Sequence, residues 1–223
     1  LFLKLRNMCP SYLILRDLFP KWAKDLNLIN NSFLYHIFNI FFLFQLYIAD
    51  IVGIQSKSNQ KFLPKKILHK KINVKLLNNW YSPVIKTQKT KINLNKTILR
   101  SKKVFVYAGN IGLAQNVETL VNLAERLKDE KEIGFLFIGR GRQYEFIRNL
   151  ANKKRLKNIL FHKQIPNNQL EELYKQCYGG LVILDQKHKT HNVPGKLLSY
   201  LFSGLPVFAL LNSKHDLISF INN

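Results

Sequence analysis

Acidic residues are the scarcest resource of this chain. It has 13 Asp and Glu against 35 Lys and Arg, a formal net charge of +22 in 223 residues, and from Ile51 to Val117 it has no acid at all. Cysteine is nearly absent as well. Cys9 and Cys177 stand far apart among apolar or aromatic neighbours, which excludes a disulfide framework and the paired spacing of a zinc site and points to a reducing compartment. No basic start, short apolar run and small-residue cleavage site follow one another, so no signal peptide is read. The first residue is Leu1 rather than Met, and the expectation is a chain that begins inside a longer protein. The longest apolar run, Phe33 to Ala49, has 17 residues and includes His36, Asn39 and Gln45. That is the lower limit of a membrane span, and a buried domain helix is the preferred reading.

What is present is enough apolar sequence, 47%, to bury a core in one or two domains, and this excludes a disordered chain. The basic excess is lopsided: residues 1–103 hold 19 Lys or Arg against three acids, and residues 104–223 hold 16 against ten. The run from Lys57 to Lys103, with Lys61, Lys65, Lys66, Lys70, Lys71, Lys75, Lys86, Lys89, Lys91, Lys96, Arg100 and Lys102 inside it, makes the first half the anion-facing one. Three readings stand: a solvated surface made lysine-rich by an AT-rich coding sequence, an anionic membrane surface, or a nucleic-acid backbone. The lysines do not alternate with exposed aromatics as a stacking platform would, which argues against nucleic acid.

Residues 11–15 read as a strand, 50–56 and 74–77 as two more, 59–63 as a short helix, and 82–102 as a polar linker. The pattern then becomes regular. Strands at 103–109, 134–139, 159–161, 180–184 and 206–211 alternate with helices at 117–127, 144–152, 169–176 and 195–202. Parallel strands need crossovers that helices supply, so the second half reads as an α/β, doubly wound Rossmann-like domain. In such sheets ligands bind beyond the carboxyl ends of the strands, which directs attention to three loops.

The first loop is AGNIG, Ala108 to Gly112, where glycines let backbone amides of Asn110, Ile111 and Gly112 approach a phosphate; a plain tight turn is the alternative, since the full G-x-G-x-x-G pattern is missing. The second is GRGR, Gly139 to Arg142, whose Arg140 and Arg142 could meet a diphosphate or a uracil carbonyl, with solvated arginines on a turn as the alternative. The third runs from Thr190 to Asn212. There Pro194 suits a first helical turn, the amides of Gly195, Lys196 and Leu197 head the helix, and Lys196 adds a full charge to the roughly half charge of a helix start. A departing nucleoside diphosphate requires such a place; a surface lysine is the alternative.

AGNIG, QNVETLV, FLFIGRGRQ, IPNNQLEELY and VPGKLLSYLFSGLPVFA, taken in this order from Val104 to Asn212, resemble the donor-binding domain of glycosyltransferase family 4, the retaining GT-B enzymes. LILRDLFPKWAKDLNLI (Leu13 to Ile29) and LLNNWYSP (Leu76 to Pro83) resemble the later part of that family's acceptor domain. The wording of residues 190–212 is similar to L-fucosamine transferases of O-antigen and capsule synthesis, which use UDP-N-acetyl-L-fucosamine. The resemblance implies residues 1–81 as the end of an acceptor-binding domain, 82–102 as a linker and 103–223 as a donor domain, with the first domain truncated at its start and the second lacking its last helices. It also implies a UDP-sugar donor bound through Gly109, Asn110, Ile111, Gly112, Arg140, Arg142, Gly195, Lys196 and Leu197, a polyprenyl-diphosphate-linked oligosaccharide as acceptor, and peripheral contact with the inner, cytoplasmic face of a bacterial membrane. Lys196 is the expected catalytic cation, and Asp17, beside Arg16 at a strand end, a candidate acceptor-side or catalytic residue with a structural turn as the alternative.

The sequence departs from the family at the glutamate pair eight residues apart, whose positions are His191 and Ser199 here. His191 can meet a phosphate or sugar and Ser199 a hydroxyl. Leu113 to Asn116 lacks the basic residue usual after the first glycines, which leaves its role to Lys196, Arg140 and Arg142. No D-x-D sequence occurs, in keeping with a metal-independent reaction without a cofactor. A basic nucleic-acid-binding module and an inactive transferase remnant are the rival readings.

Overall fold

In the computed structural model, residues 9–65, 73–83 and 86–221 are described. Lys66, Lys70 and Lys71 of the basic run lie outside them. By its internal contacts the chain divides into two units: residues 1–79 with 186–193 and 212–223, and residues 80–185 with 194–211.

The first unit carries strands β1 (Tyr12–Leu15), β2 (Ile51–Ile54) and β3 (Asn73–Leu76) in one parallel sheet, in that order. Helix α1 (Lys21–Asp25) and helix α2 (Ser32–Ile48) form the β1 to β2 crossover. Asn31 caps α2 by accepting from the amides of Phe33 and Leu34 at 2.9 and 3.1 Å. Leu15, Leu18, Leu46, Val52, Ile54 and Leu63 form the core of this unit. Helix α2 is less buried than its sequence suggests, with Leu46 its only fully buried residue and Phe33, Ile40, Phe41, Phe44 and Tyr47 exposed. Its 17 residues do not make a span, and among the described residues no helix is long and apolar enough to cross a membrane. The expected short helix is a 3₁₀ turn at Lys57–Phe62. Beyond residue 212 the chain returns to this unit with helix α7 of the molecule, Asp216–Ile221.

The second unit has β4 (Lys103–Asn110), α3 (Glu118–Arg126), β5 (Ile133–Arg140), α4 (Tyr144–Lys153), β6 (Ile159–Lys163), α5 (Asn167–Tyr174), β7 (Gly179–Ile183), α6 (Gly195–Phe202) and β8 (Val207–Leu210). All five strands are parallel in the order β6-β5-β4-β7-β8. The order reverses between β4 and β7, which is the switch point where such sheets open a ligand crevice. Alternate residues of the strands, with Ile147 of α4 and Val121 and Ala124 of α3, fill a core around Tyr107, Phe135 and Phe137. The stretch 82–102 belongs to this unit, where Ile92, Leu94 and Leu99 are buried. Each unit is a parallel α/β layer, and the second is the doubly wound Rossmann-like sheet expected for this half of the chain.

Candidate functional site: the strand-end cleft

A cleft of about 590 Å³ opens at the carboxyl ends of β4 and β5 and the start of α6, within the second unit. It brings all three loops together: Gly109 and Asn110 from the first, Gly139 and Arg140 from the second, Gly195, Lys196 and Ser199 from the third. Ile138, Ile165 and Leu170 give it an apolar side, and Tyr81 and Tyr174 add rings.

The first two loops meet because both have glycine where a side chain would collide. A Cβ on Gly139 would lie 1.8 Å from the Gly109 carbonyl oxygen. Gly109 has φ +145°, a conformation that favours glycine, and faces the Lys196 side chain, whose Cε would stand 3.1 Å from an added Cβ.

Lys196 is the central cation. Its Nζ donates to the Tyr107 hydroxyl at 3.3 Å and lies 4.6 Å from the centre of the same ring. The Tyr107 hydroxyl in turn donates to the Asn110 carbonyl at 2.6 Å, so the ammonium, the ring and the first loop are one connected unit. Burial pulls the ammonium down to a pKa of about 8. Among the described residues no carboxylate lines the cleft, and an anionic ligand is the group that would compensate this charge.

Behind it, the Tyr200 hydroxyl accepts from the Ala108 amide at 2.9 Å and donates to the Val106 carbonyl at 3.2 Å. β4 and β7 are paired only at Phe105–Gly179 and Val106–Gly180, and Tyr200 serves the backbone groups left where they part.

The other expected site residues fall out differently. The Ile111 amide is spent on the Arg140 carbonyl at 2.9 Å and its side chain is buried, and the Gly112 amide donates to Gln115 Oε1 at 3.2 Å. The Leu197 amide closes a turn on the Pro194 carbonyl at 3.0 Å. Of the amides expected to face a phosphate, those three are engaged within the protein, which leaves Asn110, Gly195 and Lys196 as the candidates. Arg140 lines the cleft; Arg142 is exposed and does not. Ser199 lines it, within hydrogen-bonding reach of Tyr81 and Tyr174. His191 and Asp17 belong to the first unit, where Asn192 Nδ2 donates to Asp17 and His191 is buried. Tyr107, Tyr81 and Tyr174 were not anticipated. Tyr174 lines the cleft and Tyr107, a core residue, anchors Lys196 from below it; nothing in the local pattern marks either ring for that part.

The cleft is a basic pocket with an apolar flank at the switch point of a Rossmann-like sheet. The chain belongs to the glycosyl transferases group 1 family, which matches residues 88–209. The putative colanic acid biosynthesis glycosyl transferase WcaI of Escherichia coli (strain K12) is 31% identical over 104 residues, 47% of this chain and 25% of that protein. The probable glycosyltransferase WbjE of Pseudomonas aeruginosa is 21% identical over 216 residues, 94% of this chain and 53% of that protein. The chain thus spans between a quarter and about half the length of these relatives. Among solved structures, the α,α-trehalose-phosphate synthase (UDP-forming) of Burkholderia vietnamiensis has a TM-score of 0.66 at 12% identity, covering 96% of this chain and 55% of its own. Anabaena Alr3699/HepE in complex with UDP and glucose has a TM-score of 0.57 at 13% identity, covering 92% and 54%.

Proposed function

We propose that the second unit holds the sugar-nucleotide donor of a retaining, metal-independent family 4 glycosyltransferase, which moves an amino sugar from UDP to a polyprenyl-diphosphate-linked oligosaccharide in O-antigen or capsule synthesis. The observation that carries the reading is the under-compensated Lys196 ammonium, fixed on Tyr107 beside Gly109 at the switch point. A diphosphate laid across Gly109 and the α6 start would take charge-assisted hydrogen bonds from Lys196, Arg140 and the helix amides. As the glycosidic bond breaks, negative charge grows on the leaving diphosphate, and donors already in place stabilise it without reorganisation. The apolar flank of Ile165 and Leu170 suits a nucleobase face, and Asn110 and Ser199 offer hydrogen bonds to hydroxyls.

The relative named for colanic acid biosynthesis and the UDP-containing neighbour favour a UDP donor and a cell-surface saccharide product. UDP-N-acetyl-L-fucosamine is the first donor to test. The lipid-linked acceptor places the reaction at the cytoplasmic face of the membrane, which the exposed lysines of the first unit suit. The test is transfer of labelled sugar from a panel of UDP-N-acetylhexosamines to polyprenyl-diphosphate acceptors, with the anomeric configuration of the product read by NMR. Transfer with retention supports the reading, and an inverted product contradicts it.

A further inference from the structure

One turn beyond Lys196 on α6, the wall of the donor cleft changes character. Ser199 follows Gly195 and Lys196 on the same helix face, about 5 Å further along the axis. Its hydroxyl lies within hydrogen-bonding reach of two phenols, those of Tyr81 and Tyr174, and all three residues line the cleft. Tyr81 stands outside every helix and strand, yet it is fixed twice. Its ring packs on Phe202 with 5.0 Å between centres, and its hydroxyl donates to Glu171 Oε1 at 3.0 Å. Glu171 belongs to α5, next to the lining Leu170, and does not itself line the cleft. Among the described residues its carboxylate is in no ion pair, and the Tyr81 phenol is its partner.

These partners set the direction of each hydrogen bond. The Tyr81 proton goes to the Glu171 carboxylate, an acceptor without a proton of its own, so the phenol oxygen keeps its lone pairs for other donors. Burial, and then the bond to Glu171, raise the Tyr81 pKa above its ordinary value, and the group stays a protonated phenol at neutral pH. A hydrogen bond given to a carboxylate polarises the phenol and makes its oxygen a stronger acceptor. Ser199 takes up one acceptor position of that oxygen, and the other is left for a hydroxyl of a ligand. The rest of the cleft is rich in charged donors, Lys196 and Arg140 with the helix amides, and among the described residues it has no carboxylate to accept from a sugar.

We propose that Tyr81, oriented and polarised by Glu171, recognises a ribose hydroxyl of the donor nucleotide, so that a carboxylate on α5 acts on the sugar through a phenol. On the donor-cleft reading, on which this depends, the diphosphate lies at Gly109 and the start of α6. The ribose is bonded directly to that diphosphate, and the helix turn after Lys196, where Ser199 and Tyr81 meet, is where it falls. Leu170 and Ile165 are then left for the base. Tyr81 is a specificity residue and Glu171, which touches no ligand, a positioning one. A purely structural Tyr81 would only fasten residues 80–83 to α5 and α6, and would be indifferent to the hydroxyls of the ligand.

The experiment is calorimetric titration of the full chain with UDP and with 2′,3′-dideoxy-UDP, which lacks both ribose hydroxyls. The wild type is expected to bind UDP about tenfold or more tighter than the dideoxy ligand. Tyr81→Phe keeps the ring on Phe202 and should cut that ratio about fivefold or more by weakening UDP, while the dideoxy ligand binds as before and reports an intact fold. Glu171→Ala should lower the ratio as well, and Glu171→Gln, which still accepts from the phenol, should restore part of it. Lys196→Ala should weaken both ligands and leave the ratio in place. A ratio near unity in the wild type, a ratio unchanged by Tyr81→Phe, or equal losses of both ligands in that variant would overturn the ribose assignment, while UDP binding that depends on Lys196 would keep the donor-cleft reading standing. UDP that does not bind, or that binds regardless of Lys196, would overturn the donor cleft and the ribose assignment together.

Discussion

At the scale of single residues, Lys196 is where sequence, packing and chemistry converge. Its neighbours explain its strength: the Tyr107 ring and hydroxyl hold the ammonium in place, and burial without a carboxylate leaves it reaching for an anion. Lys196→Ala in a catalytically complete enzyme is expected to lower turnover by about 10² to 10³, as when a preorganised anion donor is removed elsewhere. The melting temperature should hold or rise, because a buried, poorly compensated charge is removed. The pH dependence follows from the same depression. In the empty protein the folded-state pKa of about 8 lies below the ordinary 10.5, so the unfolded chain binds the extra proton between those values and stability rises with pH across that window. UDP binding runs the opposite way and weakens as pH climbs through it, since the ligand prefers the charged ammonium. Calorimetric titrations on either side of pH 8 check this. A UDP affinity that is flat with pH would separate Lys196 from the diphosphate.

At the scale of elements, the cleft exists because β4 and β7 part company after Val106 and α6 fills the gap. Tyr200 reaches back from α6 to the Ala108 amide and the Val106 carbonyl, tying the helix that carries Lys196 to the strand that carries Gly109. Tyr200→Phe keeps the shape and removes both bonds. The orphaned Ala108 amide should cost about 1 to 3 kcal/mol in urea unfolding, with weaker UDP binding in proportion to the loosened α6. No stability change would mean that Tyr200 is only filler. The elements themselves were legible. The apolar runs of the second half, spaced by amphipathic helices, gave strand and helix positions within a few residues, because period and length are local properties. The amides were not. The use of the Ile111 amide depends on where Arg140 lies in space, which no spacing rule encodes, whereas the Gly112–Gln115 and Leu197–Pro194 bonds are local turns three residues long that the loop reading passed over. His191 was placed with the donor by its position in a family pattern. In the structure residues 186–193 belong to the first unit, held there through Asn59, whose side chain bonds the His191 backbone at 2.8 and 3.2 Å.

At the scale of the whole molecule, the charge asymmetry has a surface to act through. Lys57, Lys61, Lys65, Lys75, Lys86, Lys89 and Lys91 are all exposed. Each basic side chain near anionic headgroups contributes ~1 kcal/mol. The protein should sediment with anionic vesicles at low salt, remain in solution with zwitterionic ones, and come off as added salt shortens the reach of exposed charges. Retention at high salt would instead assign membrane contact to the exposed apolar face of α2, Phe33, Ile40, Phe41, Phe44 and Tyr47. Neither outcome bears on the donor cleft, which is built from the second unit alone. That independence makes the decisive measurement a simple one: calorimetric titration of UDP, AMP and GMP into the wild-type chain and into Lys196→Ala at neutral pH. UDP binding tighter than either purine nucleotide, and weakened by about tenfold or more in the variant, is the expected result. Equal binding of all three nucleotides, or UDP binding untouched by the loss of Lys196, would contradict the assignment of this cleft as the sugar-nucleotide site.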